Sequence, residues 1–278
     1  MTSMGTPIER LRARVERLGA PLCLGIDPHP QALPDDLPRD VRGVERFARG
    51  LVEAVAPYVA AIKVNVAFFE AFGAAGWAAL ERLREDVPRD HVLIADAKRG
   101  DIDTTAERYA AGLLGHLDAD GVTVSPYLGA DGIEPFLAFP DRIVYVLART
   151  SNPSAGVLQD LPVGEGGEPL HRRVASWVAA SWPEPRVGLV VGATVPAELE
   201  ALRTALPGPA FLVPGVGAQG GDLAAAVRHC HGTMAPGLVN VTRGIASASL
   251  DEDWRRAAAR AAEGWSARMA EAGATLTS

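Results

Sequence analysis

HVLIADAKRGDIDTTAERYAAGLLGHLDADGVTVS, residues 91–125, reads as a strand, a helix and a second strand. HVLIADA (91–97) and DGVTVS (120–125) are short and apolar on both sides of the pleat, and residues 102–117 between them carry an Ala-rich helical pattern. Strands with two apolar faces, each followed by a helix, belong in a parallel sheet covered by helices. The unit repeats in both directions along the chain. PLCLGID (21–27) and YVAAIKVN (58–65) precede it, and RIVYVLA (142–148), RVGLVVG (186–192), AFLVPG (210–215) and GLVNVTRG (237–244) follow. Helical patterns fill the gaps at 40–56, 67–86, 102–117, 130–138, 167–181, 195–205, 219–230 and 251–272. Eight such units in about 250 residues is the arithmetic of an α/β fold of the (β/α)8 TIM-barrel type. Ile8–Leu18 forms an extra N-terminal helix ahead of it. One domain is expected over residues 1–278, with the barrel proper at about 20–272. An open doubly wound sheet has the same periodicity, so closure of the barrel is an expectation.

Two connections are longer than the usual strand-to-helix loop. PHPQALPDDLPR (28–39) and TSNPSAGVLQDLPVGEG (150–166) follow strands one and five, and both belong at the C-terminal mouth, where barrel enzymes carry their active sites. The 278 residues hold 27 Lys+Arg against 34 Asp+Glu, a formal charge of −7, which argues against a general nucleic-acid binder. Cys23 and Cys230 lie far apart without zinc-ligand spacing, and the six histidines show no paired spacing either, so no metal site is expected. The N-terminus lacks a continuous apolar core and no stretch of about 18 apolar residues follows, so a reduced, cytoplasmic protein without a membrane span is expected.

Charges stand where strands should end in a core: Asp27 after strand one, Lys63 in strand two, Asp96 and Lys98 at the end of strand three. Side chains alternate along a strand, which puts Asp96 and Lys98 on one side, above Val92 and Ile94. Buried charges are tolerated when paired, so carboxylate and ammonium are expected to alternate here. A lysine between carboxylates stays protonated, which suits a proton donor and not a Schiff-base nucleophile. One charged strand end is ordinarily a surface ion pair. Four of them at three successive strand ends, on the catalytic face of a barrel, point to an active site. Asp101, three residues after Lys98, fits either that site or the first turn of the next helix.

PGVGAQGGD (214–222) contains GxGxxG at Gly215, Gly217 and Gly220. A dinucleotide fingerprint needs an acid about 20 residues on, after the next strand. That strand ends instead in Arg243-Gly244, with no Asp or Glu over 235–245. The turns after strands seven and eight therefore read as a phosphate cradle, with Arg243 as a fixed cation.

Together GIDP (25–28), AIKVN (61–65), ADAKRGDI (95–102), TSNPS (150–154), PGVGAQGGD (214–222) and NVTRGI (240–245) resemble, in order, the orotidine 5′-phosphate decarboxylase family and its longer bacterial (type 2) subfamily. The resemblance implies a homodimeric TIM barrel that converts orotidine 5′-phosphate to UMP and CO2, with neither metal nor organic cofactor. It implies that Lys98 protonates C6, Asp96 stands near the leaving carboxylate, and Asp27 and Lys63 hold the ribose side. Asp101 and Thr105 would reach into the partner subunit's site, Gln219 and Arg243 would grip phosphate beside Gly217 and Gly244, and Ser151 would contact the pyrimidine. Thr104 is the alternative to Thr105, and Thr150 or Ser154 to Ser151. The DxKxxD box is shared with metal-dependent phosphosugar lyases, and a nucleotide-binding protein without turnover is the other rival.

Overall fold

The computed structural model describes residues 5–217 and 220–275. The chain begins with α1 (Pro7–Leu18), started by a capping box in which the Thr6 side chain accepts from the Glu9 amide and Glu9 reaches back to the Thr6 amide. Gly19, at φ +61°, ends that helix in the left-handed conformation and turns the chain into β1 (Leu22–Ile26). There follow α2 (Val41–Val55), β2 (Ala61–Asn65), α3 (Ala67–Glu70), α4 (Gly73–Asp86), β3 (Val92–Arg99), α5 (Asp103–Ala110) and β4 (Gly121–Val124). The second half holds α6 (Glu134–Leu137), β5 (Ile143–Arg149), α7 (Gly156–Gln159), β6 (Pro162–Val163), β7 (Glu168–Pro169) and α8 (Leu170–Ser181). It closes with β8 (Val187–Val191), α9 (Pro196–Ala205), β9 (Phe211–Val213), α10 (Leu223–Cys230), β10 (Leu238–Val241), α11 (Arg243–Ala246) and α12 (Trp254–Ala274).

Eight of these strands form a closed parallel barrel in the order β1-β10-β9-β8-β5-β4-β3-β2. Each corresponds to one of the eight expected runs, and the barrel, not the open sheet, is the fold. The differences are local. The helix expected over 67–86 is broken at Gly73, whose φ of +59° lies outside the helical region. That over 102–117 continues beyond α5 as a π-helical segment, Ala111–His116. The last strand stops at Val241, and the residues expected to extend it turn into α11. The long connection after β5 is ordered into α7 and an antiparallel ribbon, β6 on β7, whose two-residue strands are too short to show an alternation.

Two apolar layers hold the barrel. One lies between strands and outer helices, and includes Val44, Leu51, Leu80 and Trp254. The other fills the barrel itself, with Cys23, Ile94, Tyr145, Leu212 and Leu238, and it is capped from below by Leu11 of α1, which has no exposed surface. Gly188 makes room there, since a Cβ at that position would stand 2.7 Å from the Tyr145 ring. With α1 closing the N-terminal end, the C-terminal mouth is the open end.

Candidate active site

Lys63 lies inside β2, where its neighbours across the ladder are Gly25 and Ile94, and Asn65 lies beside Asp96. This register brings the Lys63 ammonium 2.6 Å from Asp96 Oδ2, both groups buried. On the other carboxylate oxygen, Oδ1, Asp96 takes Lys98 Nζ, also at 2.6 Å, and the Thr123 hydroxyl at 3.0 Å. Asp27 lies just beyond β1 on the same wall, with its Oδ1 buried and without a hydrogen-bond partner among the described residues.

Lys98 reaches this position by a route that alternation along a strand does not describe. Between Ala95, which pairs with Val122, and Arg99, which pairs with Val124, the register shifts, so residues 96–98 pass opposite Thr123 alone. Within this bulge Lys98 has φ +47°, a left-handed conformation that costs a side-chain-bearing residue about 1–2 kcal/mol. Its amide donates to Thr123 Oγ1 at 3.0 Å, and its side chain, about half exposed, returns to Asp96.

The electrostatics keep the array ionised. Burial by itself pushes the Asp96 carboxyl up, but the ammoniums of Lys63 and Lys98 outweigh it and hold the group well below the usual carboxylate range. Burial likewise pushes Lys63 down, and the charges of Asp96 and Asp27 more than offset it, leaving its ammonium above the ordinary lysine value. Carboxylate and ammonium thus coexist in the folded protein across neutral pH.

These groups form one wall of a cavity of about 690 Å³, large enough for a mononucleotide-sized ligand. Leu147, Val190 and Leu212 give it an apolar floor, and Ser151 and Arg243 stand on its rim. Of the three candidate hydroxyls after β5, Thr150 donates to Asn152 Oδ1 at 2.6 Å and accepts from Gln159 Nε2 at 2.8 Å. Ser154 accepts from Asn152 Nδ2 at 3.2 Å and is not part of the cavity wall. Ser151 lines the cavity with a hydroxyl that makes no protein hydrogen bond among the described residues. Arg243 has no acidic partner among them either. Gly215, Gly217 and Gly220 have φ of +99°, +84° and +77°, which is why this turn is glycine-rich. Gly217 and Gly244 lie behind the cavity wall against Trp265: a Cβ on Gly244 would come within 2.9 Å of its indole nitrogen. Gln219 lies outside the described residues.

Asp101 and Thr105 do not join the array in this chain. Asp101 Oδ1 accepts from the Ile102 amide at 2.8 Å, and Thr104 and Thr105 are exposed in the first turn of α5, all outside the cavity. Around them the surface is unusually apolar, with Ile102, Tyr109, Tyr127 and Leu128 exposed.

Thr123 and Asn240 are among the polar residues of the cavity to which the sequence reading gives no role. Thr123 is fully buried and ties Asp96 to the bulge, and Asn240 of β10 has a buried Oδ1 without a partner. Asn240, a polar residue inside an apolar run, was legible as an anomaly; Thr123 was not, since threonine is an ordinary strand residue. Among the described residues no three His, Cys, Asp or Glu side chains converge as a metal site would, and no helix is long and apolar enough to cross a membrane.

The sequence model of a family described as "Orotidine 5'-phosphate decarboxylase / HUMPS family" matches residues 20–261. The chain is 49% identical over 243 residues to the orotidine 5′-phosphate decarboxylase of Roseiflexus castenholzii, covering 87% of this chain and 89% of that one. It is 46% identical over 261 residues to the protein of that name from Thermomicrobium roseum, covering 91% and 92%. Among solved structures, OMP decarboxylase of Leishmania donovani superimposes with a TM-score of 0.80 at 37% identity, over 95% of this chain and 99% of that one.

Proposed function

Since the chain belongs to the orotidine 5′-phosphate decarboxylase / HUMPS family, we propose that it is the decarboxylase itself, of the longer bacterial subfamily, releasing CO2 from orotidine 5′-phosphate to give UMP in the last step of de novo UMP synthesis. The observation that carries this reading is the buried Asp96 carboxylate shared by two ammoniums at the wall of a nucleotide-sized cavity.

The chemistry asks for such an array. When the bond from C6 to the carboxylate breaks, its electron pair stays in an sp² orbital that the ring's π system does not delocalise, so the carbanion must be stabilised by charge. Lys98, held by Asp96, supplies a cation there as CO2 departs and then transfers its proton from Nζ to C6, which completes UMP. Lys63 balances Asp96 and, with Asp27, faces the ribose, whose hydroxyls suit the unpartnered Asp27 Oδ1. The free hydroxyl of Ser151 suits the pyrimidine, and Arg243 with Gln219 suits the phosphate, next to a turn that Gly217 and Gly244 keep compact on Trp265. Remote binding energy at that phosphate orders the site, because one lysine alone supplies only part of the roughly 8–23 kcal/mol by which enzymes lower barriers. Asp101 and Thr105, outside the cavity of their own chain and amid exposed apolar side chains, act across a homodimer interface. The reaction uses neither metal nor organic cofactor, and the protein works in the cytoplasm.

The test is the ultraviolet absorbance of orotidine 5′-phosphate during incubation with purified protein and excess chelator. Loss of the substrate band with UMP as the product is expected. Substrate left intact with chelator, but consumed once a divalent metal is restored, would overturn the cofactor-free mechanism; no turnover in either condition would overturn the assigned reaction.

A further inference from the structure

Lys98 is gripped at both ends through one side chain that comes from another strand. Its amide donates to Thr123 Oγ1 at 3.0 Å, the Thr123 hydroxyl donates to Asp96 Oδ1 at 3.0 Å, and that oxygen takes Lys98 Nζ at 2.6 Å. The bonds form a closed ring. Their direction is fixed by chemistry, since a backbone N–H can only donate, a carboxylate can only accept, and a hydroxyl can donate its one proton while accepting on its oxygen. The ring also spans the bulge in which residues 96–98 pass opposite Thr123 alone, with Lys98 at φ +47°. A left-handed lysine persists only where its surroundings hold it, and among the described residues Thr123 is the one side chain that bonds both its amide and the carboxylate on its ammonium. Thr123 has 1% of its surface exposed, so its hydroxyl is committed to these two bonds.

The geometry points to Thr123 as a positioning residue for Lys98: its hydroxyl holds the backbone of the bulge in the left-handed conformation and thereby fixes where the ammonium meets the substrate. This inference rests on the decarboxylase reading for its kinetic consequences and on the geometry alone for its structural ones. The other charged and titratable groups around Asp96, namely Lys63 on β2, Asp27 beyond β1 and Cys23 on β1, make no direct bond to Thr123, and Lys63 holds the other oxygen of Asp96.

Thr123→Val removes the hydroxyl and keeps the shape, whereas Thr123→Ser keeps the hydroxyl. For Val, kcat is expected to fall about 10- to 100-fold, the loss associated with displacing a reacting group by about 1 Å, while KM changes less than about threefold. Ser is expected to recover at least about a third of wild-type kcat. A Val variant within about threefold of wild-type kcat, or a Ser variant as impaired as Val, would overturn the role. Should Val not fold, Thr123→Ala, which adds no strain, carries the same comparison with Ser.

A crystal structure of the Val or Ala variant provides the readout that needs no turnover. Lys98 is expected to leave the left-handed region, or its Nζ to retreat beyond the roughly 4 Å of an ion pair with Asp96. Lys98 unmoved would overturn the inference even in an active enzyme. Wild-type protein inactive on orotidine 5′-phosphate, with Lys98 displaced in the variant, would instead overturn the decarboxylase reading and leave the positioning role standing.

Discussion

Charged side chains cluster at both ends of this barrel, and the two clusters are built for opposite purposes. At the base, under α1, Arg14 donates from Nε to the Val59 carbonyl at 3.0 Å and from Nη2 to that of Ala56 at 2.7 Å, and from Nη1 to Asp90 at 2.9 Å. Asp120, equally buried, accepts the Leu93 amide at 2.9 Å and pairs with Arg10. These groups satisfy the backbone at the ends of strands and tie a helix over the opening. At the mouth, Asp96 and Lys63 are as deeply buried, but their neighbours Asp27, Ser151 and Arg243 turn unused hydrogen-bonding capacity toward a cavity. A buried charge is therefore no sign of function by itself. The sign is unfilled bonding capacity that faces a cavity: at the base Arg10 Nε and Arg84 Nη1 are buried without partners among the described residues too, but neither lines the cavity at the mouth.

The largest expected effect, and the surest way to break this contrast, is at the mouth. Lys98→Ala should lower kcat by at least about 10⁴-fold, since it removes the group proposed as both the proton donor and the cation at the reacting carbon. UMP should still bind, and the melting temperature should stay within a few degrees of wild type because Asp96 keeps Lys63 and Thr123. If Asp101 acts across the dimer, mixing these chains in equal amounts with Asp101→Ala chains should restore about a quarter of the sites, since about half of the dimers are then mixed and each carries one intact site. Residual turnover near the wild-type rate in Lys98→Ala would remove the proposed donor.

Next comes the base, where the effect should fall on stability alone. Arg14→Ala leaves two backbone carbonyls without their buried donor and should cost about 3 kcal/mol, or about 6–12 °C in melting temperature. At temperatures where the variant is folded, kcat and KM should match wild type. A loss of kcat in folded Arg14→Ala would mean that the two ends are coupled through the barrel.

The sequence shows this contrast only in part. The eight barrel strands are legible because burial on both faces leaves an apolar run flanked by helical patterns, and the barrel interior bears that out with Ile94, Tyr145 and Leu212. The convergence of Asp96 and Lys98 is legible too, although parity along a straight strand is the wrong reason for it: the meeting depends on a bulge and a left-handed lysine. Thr123 stays hidden because its meaning comes from a register shift against a strand 25 residues earlier. Cooperation of Leu11 with the barrel interior is equally non-local, since the stripe on α1 announces a buried face without saying what it covers. Glycines in the turn after β9 are the opposite case, as their spacing directly reflects positive φ.

The smallest expected effect sharpens the comparison through pH. Asp90 lies at the base beside Arg14, Arg17 and His91. Burial pushes its carboxyl up, but His91 and the two guanidiniums outweigh that and lower it to about 2. An unfolded aspartate titrates near about 3.9, so the folded state holds this group ionised where the unfolded state protonates it. The stabilisation is complete above about pH 4 and is lost as pH falls through the folded value of about 2. With roughly half of the side chain in solvent, screening limits the contribution to under about 1 kcal/mol. Asp90→Asn should therefore unfold at slightly lower urea concentration than wild type at pH 7, and the gap should close between pH 4 and 2, with kcat unaffected at neutral pH. A gap that persists unchanged to pH 2 would assign the difference to packing at the base, whereas a gap absent at pH 7 would leave Arg14 anchored by the Ala56 and Val59 carbonyls alone.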